Sequence, residues 1–147
     1  MDHLLICTVG LPRSGKSTWA IRQGFPVVGP DAIRLAIHGR RFWAPAETQV
    51  WAVTDLMIRS MFLAGHSTVV LDATSIERRH RDERRCRTRD DTQPSWKTEF
   101  IVFDASAEVC KQRALATGMP DLVDVIEMMA ARFDPLGLGE TVYGMAT

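Results

Sequence analysis

The feature that most constrains the fold is a glycine-rich run, GLPRSGKST, which spans residues 10–18. It follows Leu4–Val9, a continuous apolar run of the kind that forms strands buried on both faces of a sheet. A helical pattern over residues 17–23 begins at the end of the run. A strand, a glycine-rich turn and a helix in this order predict an α/β fold.

The rest of the chain continues the alternation of strands and helices. Further strands are predicted at residues 27–28, 68–71 and 100–103, and further helices at 31–38, 45–65, 77–89, 107–116 and 122–133. This order predicts a three-layer fold with helices on both faces of a central, mainly parallel sheet. A length of 147 residues, 46% of them hydrophobic, predicts one domain over 1–147. The tail over 135–147 is left open between an extra edge strand and a mobile end.

The spacing inside the glycine-rich run matches the P-loop pattern of phosphate-binding proteins. Its backbone N–H groups are expected to surround a phosphate, with the positive end of the following helix beside them. Lys16 is expected to reach the β- and γ-phosphates of ATP, and Ser17 to offer its hydroxyl to Mg²⁺. The predicted nucleotide-binding residues are Gly10, Arg13, Ser14, Gly15, Lys16, Ser17 and Thr18.

A carboxylate follows the second predicted strand, in the segment GPDAIR. Loops at the carboxyl ends of parallel strands converge on the ligand crevice, so Asp31 is expected to face the γ-phosphate. It could accept a proton from an attacking hydroxyl, and Arg34, on the same helix face, could hold an anion on the acceptor. The spacing is equally consistent with a second interpretation, in which Asp31 only caps a helix beside Pro30.

Two later segments add candidates. Asp72 ends the buried strand in VVLDATS, where a carboxylate usually orients Mg²⁺. The charged run over 77–91 could form a phosphate-binding surface, but its i,i+4 ion pairs mostly predict a solvent-exposed helix. Only the residues nearest Asp72 stay candidates for binding phosphate. Lys111 and Arg113 lie on a short helix after the last clear strand, where P-loop kinases carry a lid. An arginine there would neutralise charge during phosphoryl transfer.

Composition limits the partners. Lys plus Arg and Asp plus Glu number 18 each, so the chain has no net charge that would attract a nucleic acid or a membrane, and an anionic partner needs a local cluster. Among the tryptophans, only Trp43, in the loop RRFW, is a candidate base stacker. The three cysteines form no CxxC motif and are expected to be reduced. The short N-terminal apolar run predicts neither a signal peptide nor a membrane span, hence a cytoplasmic protein.

Several ordered segments together carry a resemblance to a known family. They are GLPRSGKSTWA, DAIR, VVLDATS followed by Arg81, CKQR at 110–113, and the pairs Met119-Pro120 and Val125-Ile126. Over residues 4–133 the chain resembles the kinase domain of polynucleotide 5′-hydroxyl kinases of the phage and RNA-repair type. The resemblance implies an adenylate-kinase-like P-loop phosphotransferase with a helical lid at about 106–120. Such an enzyme moves the γ-phosphate of ATP, with Mg²⁺, to the 5′-hydroxyl of single-stranded DNA or RNA.

The resemblance also implies roles for individual residues. Lys16 and Ser17 would hold phosphates and Mg²⁺, and Asp31 would be the general base. Arg34 would grip a phosphate of the acceptor, and Arg113 would be the catalytic lid arginine. The substrate-binding set would be completed by Asp72, Thr74 and Arg81, and Asp72 would join Ser17 at the metal.

Two departures from the family pattern stand out. Thr117 occupies the place where the family often has a second lid arginine, and Ser75 replaces the asparagine usual after Asp-Ala-Thr. Two alternatives stay open. The first is a P-loop kinase of a small acceptor such as a nucleoside or sugar, and the second is a nucleotide-binding regulatory module that never transfers phosphate. The sequence leaves the oligomeric state open.

Overall fold

A five-stranded parallel sheet forms the centre of the protein, in the strand order β2-β3-β1-β4-β5. The computed structural model describes residues 2–86 and 94–145. The strands are β1 (Leu4–Val9), β2 (Val27–Val28), β3 (Thr68–Leu71), β4 (Lys97–Val102) and β5 (Val142–Met145). Because every neighbouring pair is parallel, the carboxyl ends of all the strands lie at one edge of the sheet.

The described residues also form six α-helices and one short 3₁₀ helix, Ala44–Ala46. The α-helices are α1 (Lys16–Arg22), α2 (Pro30–His38), α3 (Glu47–Leu63), α4 (Arg78–Cys86), α5 (Ala107–Ala116) and α6 (Leu122–Ala131). Proline at the first position of α2 suits the helix start, because the missing N–H would have no helical partner there. The predicted α/β fold with a parallel central sheet is confirmed.

The core has two layers, one on each face of the sheet. Side chains of β1 alternate between them, with Leu5, Cys7 and Val9 on one face and Ile6 on the other. The first layer packs against Val50, Ile58 and Phe62 of α3, and the second packs against Ala20 of α1. A third cluster joins α5 and α6 to Leu11 of the glycine-rich run. Helices α5 and α6 are therefore packed directly onto the phosphate loop.

The boundaries of β4 differ from the prediction, and the structure resolves the alternative that the sequence left open for the tail. β4 begins at Lys97 rather than at residue 100, because it pairs with β1 along its whole length, from Lys97 opposite Leu4 to Val102 opposite Val9. The tail forms an edge strand, since β5 pairs in parallel with β4. The predicted helix over 77–89 is seen as α4, and its residues 87–89 lie outside the described residues.

Helix α4 is less exposed than predicted. The side chain of Arg84 is only 6% exposed, where it forms an ion pair with Asp55 (2.5 Å) and lies over the ring of Trp51, 4.5 Å from its centroid. Cys7 and Cys110 are buried and form no disulfide. Among the described helices, none combines the length and apolar character that a bilayer crossing requires.

Candidate active site

The phosphate loop needs glycine at two positions for two different reasons. A Cβ on Gly10 would lie 2.7 Å from Ser14 Oγ and 2.9 Å from the Phe103 carbonyl oxygen, so there is no room for a side chain. Gly15 has space around it but adopts φ +103°, a backbone conformation that L side chains rarely take. Between them the loop turns sharply, with the N–H of Ser14 bonded to the carbonyl of Leu11 at 3.1 Å.

Lys16 lies buried beneath this loop. Its side chain donates to the Leu11 carbonyl (2.6 Å) and to Ser14 Oγ (3.4 Å), and the residue is 7% exposed. Burial lowers the Lys16 pKa to about 8, although the charges of Asp72 and Asp31 oppose the shift. Burial removes water from the Lys16 ammonium, and two neutral oxygen acceptors replace that hydration only in part. Bound phosphate oxygens would supply the negative charge that the site lacks.

The predicted metal residues are brought together. Ser17 lies in the first turn of α1, and Asp72 directly follows β3. The Ser17 hydroxyl donates a hydrogen bond to Asp72 Oδ2 at 2.6 Å. Hydroxyl and carboxylate oxygens fit Mg²⁺, which takes oxygen ligands and usually needs only one or two protein groups beside phosphates and water. Within residues 2–86 and 94–145, no group of three or more His, Cys, Asp or Glu side chains could form a metal site. Ser17 and Asp72 together could hold Mg²⁺ in the presence of a nucleotide.

The loop after β3 is fastened to the phosphate loop by a residue that the sequence analysis missed. The buried hydroxyl of Thr8 donates to the Ala73 carbonyl (2.7 Å) and accepts from the Ala73 N–H (3.0 Å). The N–H of Gly10 bonds to the carbonyl of Thr74 at 2.9 Å. These bonds fix Asp72 beside Ser17. The available signal was a threonine inside an otherwise apolar strand, since its buried hydroxyl needs a partner.

The acceptor side is a cluster of two carboxylates around one arginine. Arg34 donates from Nη1 to Asp31 Oδ1 (2.7 Å), and from Nε and Nη2 to the two carboxylate oxygens of Glu47 (2.9 and 2.6 Å). Burial, the largest single influence, lowers the Arg34 pKa, but the bonds and charges of Glu47 and Asp31 raise it overall. Three of the five guanidinium N–H groups are engaged, which leaves one on each terminal nitrogen.

The carboxylate of Asp31 is open to solvent, with 77% of its side chain exposed, in the first turn of α2. Its negative charge raises the pKa of Lys16, so the two predicted catalytic groups lie within electrostatic range of each other. Glu47 was not predicted, because nothing in the local sequence links it to an arginine 13 residues earlier. The structure thus places Arg34 in a fixed position instead of on a free helix face.

Arg113 reaches the phosphate loop from the lid. It projects from α5, and its Nη1 donates to the carbonyl of Arg13 at 3.2 Å. Lys111 of the same helix points to α6, where it pairs with Glu127 at 2.6 Å. Thr117, in the place of a second lid arginine, bonds back to the carbonyl of Arg113 at 2.9 Å. Helix α5 therefore presents Arg113 to the loop, while Lys111 links α5 to α6.

Arg81 corrects one expectation. Its side chain is fully buried, and it pairs with Glu140 of the tail at 2.7 Å. All five N–H groups are used, on Glu140 and on the carbonyls of Ser75, Ile76 and Pro135. A guanidinium with no free donor cannot grip a substrate. Arg81 instead ties α4 and the tail to the loop that follows Asp72.

Fold and site together define a protein class. The parts are those of a P-loop nucleotide-binding domain of the kinase type: a parallel sheet of this order, a glycine-rich loop over a buried lysine, a serine–aspartate pair beside it, and helices α5 and α6 packed against the loop. The model of the AAA domain family (AAA_33) matches residues 5–136, which is most of the chain. The chain therefore belongs to the AAA domain family.

Solved structures share the fold. The chain is 26% identical to a chain of the Pnkp1/Rnl/Hen1 complex, with TM-score 0.65, covering 76% of this chain and 39% of that one. A gluconokinase from Sinorhizobium meliloti 1021 is 22% identical, with TM-score 0.61 and coverage of 99% and 83%. A sugar kinase from Janibacter sp. HTCC2649 is also 22% identical, with TM-score 0.63 and coverage of 98% and 84%. No match was found among curated proteins.

Proposed function

We propose that this protein is an ATP-dependent kinase that transfers the γ-phosphate to the 5′-hydroxyl of single-stranded DNA or RNA. The observation that carries the proposal is the exposed carboxylate of Asp31, which accepts a hydrogen bond from Arg34 and lies within electrostatic range of Lys16. Asp31 could take a proton from the attacking hydroxyl while Arg34 holds a phosphate of the same acceptor. The identity with a chain of the Pnkp1/Rnl/Hen1 complex, described as an RNA repair complex, adds support.

The donor side would be organised by the phosphate loop. Its backbone N–H groups and Lys16 would bind the β- and γ-phosphates, and Ser17 and Asp72 would hold Mg²⁺. When bound, Mg²⁺ neutralises charge on the phosphate oxygens. Arg113 already contacts the loop at Arg13, so a short movement of its side chain would bring it to the transferring phosphate. Its charge is expected to stabilise the transition state more than the bound substrate.

The acceptor side would supply the nucleophile. Asp31 would accept the proton of the 5′-hydroxyl while that oxygen forms a bond to the γ-phosphorus. The bond between the γ-phosphorus and the β,γ-bridging oxygen breaks, and ADP leaves with the electron pair. The two free N–H groups of Arg34 match a bidentate contact with the phosphate that follows the first nucleotide. Glu47 would hold Arg34 in position for that contact.

A second candidate is a kinase of a small neutral acceptor. It is favoured by one observation: the single positive charge of Arg34 is outweighed by the two carboxylates of Asp31 and Glu47, in a chain with equal numbers of acidic and basic residues. Salt separates the candidates. A nucleic-acid acceptor should show a KM that rises with added salt, because each phosphate gripped releases counterions. A neutral acceptor should show a nearly constant KM.

Label transfer from γ-labelled ATP with Mg²⁺ tests the proposal. One single-stranded oligonucleotide carries a 5′-hydroxyl and a matched one carries a 5′-phosphate. We expect label on the first alone, with kcat at least about a hundredfold lower in Asp31→Asn and nucleotide affinity unchanged. Asp2→Asn, an exposed carboxylate at the opposite edge of the sheet, is the matched control and should leave kcat unchanged. Equal labelling by wild type and Asp31→Asn would remove Asp31 as the base.

A further inference from the structure

An exposed aromatic loop lies beside the acceptor cluster. The loop joins α2 to the 3₁₀ helix, and it leaves Phe42 62% and Trp43 44% exposed. Adjacent exposed aromatic side chains are unusual on a protein surface that binds nothing. The proposed phosphate chemistry does not use either ring.

Of the two rings, Phe42 is the more accessible, and it lies next to the acceptor cluster. Its centroid lies 6.0 Å from the guanidinium carbon of Arg34, which is itself bonded to Asp31 at 2.7 Å. Trp43 is held by its neighbours, with His38 packed edge-on at 5.4 Å and Arg40 over the ring at 5.5 Å. The base-stacking role predicted for Trp43 therefore fits Phe42 better.

The charges around the loop suit an anionic strand. Arg40 and Arg41 precede the rings in the chain, and Arg41 forms a 2.9 Å ion pair with Asp121, at the start of α6. The aromatic loop thus contacts the N-terminal end of α6. Unpaired bases stack on aromatic faces while arginines follow the backbone, and this combination is typical of single-strand binding.

We infer that Phe42 is the platform on which a base of the acceptor strand stacks, next to the phosphate held by Arg34. The inference rests on the proposed function, because it places an acceptor strand along the line from Asp31 through Arg34 to Phe42. The base must be unpaired to expose its face to the ring. The geometry therefore favours single-stranded ends over blunt duplex ends.

Two measurements test the inference separately from the reaction. The first measures the binding of an oligonucleotide that carries 2-aminopurine near its 5′ end, in the presence of Mg²⁺ and a non-hydrolysable ATP analogue. The readout is the quenching of the 2-aminopurine fluorescence when that base stacks. The second is the KM for 5′-hydroxyl oligonucleotides with a base or an abasic sugar at that position. Both use wild type, Phe42→Ala, Phe42→Tyr and Leu63→Ala, a control with a similarly exposed apolar side chain at the end of α3.

In Phe42→Ala, we expect the quenching to disappear and the KM for the base-bearing strand to rise about tenfold, with kcat within about twofold. On the abasic strand, wild type and Phe42→Ala should have the same KM. Phe42→Tyr keeps an aromatic face and should restore both readings, while Leu63→Ala should behave as wild type. Unchanged quenching and KM in Phe42→Ala would overturn the inference, as would an equal rise of KM on the abasic strand.

The outcomes separate the two proposals. Label transfer by wild type without any effect of Phe42→Ala removes the platform and leaves the kinase reaction standing. Quenching that depends on Phe42 without label transfer keeps the platform and removes the reaction. The loss of both in wild type overturns both proposals.

Discussion

Raising the pH from 7.5 to 9 is expected to weaken nucleotide binding through the buried lysine of the phosphate loop. Burial lowers the pKa of Lys16 to about 8 in the free protein. Bound phosphates would return the pKa to its ordinary range or above, so the nucleotide binds the protonated form. The apparent Kd then scales as one plus the ratio of neutral to charged lysine, about 1.3 at pH 7.5 and about 11 at pH 9. The expected weakening is about eightfold, or about 1.2 kcal/mol.

Calorimetric titration with a non-hydrolysable ATP analogue and Mg²⁺ measures this directly. The Kd is compared at pH 7.5 and 9, above the range in which the terminal phosphate titrates. At pH 8, buffers of different ionisation enthalpy should report the uptake of about half a proton per nucleotide. Lys16→Arg keeps the charge without titrating, so its Kd should be independent of pH. A wild-type Kd that is constant within twofold, with no proton uptake, would refute the reasoning.

Three further predictions concern stability and the loop. Lys16→Met should stabilise the nucleotide-free protein at pH 7 by about 1–3 kcal/mol in urea unfolding. Burial lowers the Lys16 pKa because the folded protein disfavours the charged ammonium, and methionine removes that unfavourable charge. Between about pH 8 and 10.5, Lys16 is protonated in the unfolded wild-type chain and neutral in the folded one, so the wild type becomes more stable as the pH rises. The stabilisation gained by Lys16→Met should therefore shrink through that window. Gly10→Ala should weaken nucleotide binding at least about tenfold, since its Cβ would lie 2.7 Å from Ser14 Oγ; affinity close to wild type would contradict the packing argument. Glu140→Gln should destabilise the fold by about 3–5 kcal/mol, measured by urea unfolding, because it leaves Arg81 buried without its charge partner. A loss below about 1 kcal/mol would show that Glu140 contributes little.

The parts that the sequence predicted are those defined by local patterns. The phosphate loop and its flanking strand and helix occupy contiguous residues, so their spacing alone indicates a strand, a tight turn and a helix start. Asp31 and Asp72 were placed near the loop by one rule, that parallel strands bring their carboxyl ends to the same edge. The nearness of Ser17 to Asp72 follows from that rule, although the 2.6 Å bond between them does not.

The parts that were missed depend on contacts distant in sequence. Glu140 lies 59 residues after Arg81, and neither residue reveals the pair, so the exposed helix face was the natural interpretation of α4. The sequence left the tail open between an edge strand and a mobile end, because its pairing with β4 joins residues about 40 positions apart in the chain. Helical periodicity identifies which residues share a face, but it does not identify what packs against that face.

The central claim is that the acceptor is a polynucleotide end and not a small molecule. The most direct measurement gives the protein γ-labelled ATP and Mg²⁺ with a 5′-hydroxyl oligonucleotide, a nucleoside and gluconate in one mixture, and separates the products. We expect the label on the oligonucleotide, released as a 5′-labelled mononucleotide by nuclease digestion, with transfer that weakens steeply with added salt. Label on the nucleoside or gluconate, with an unlabelled oligonucleotide, would contradict the account.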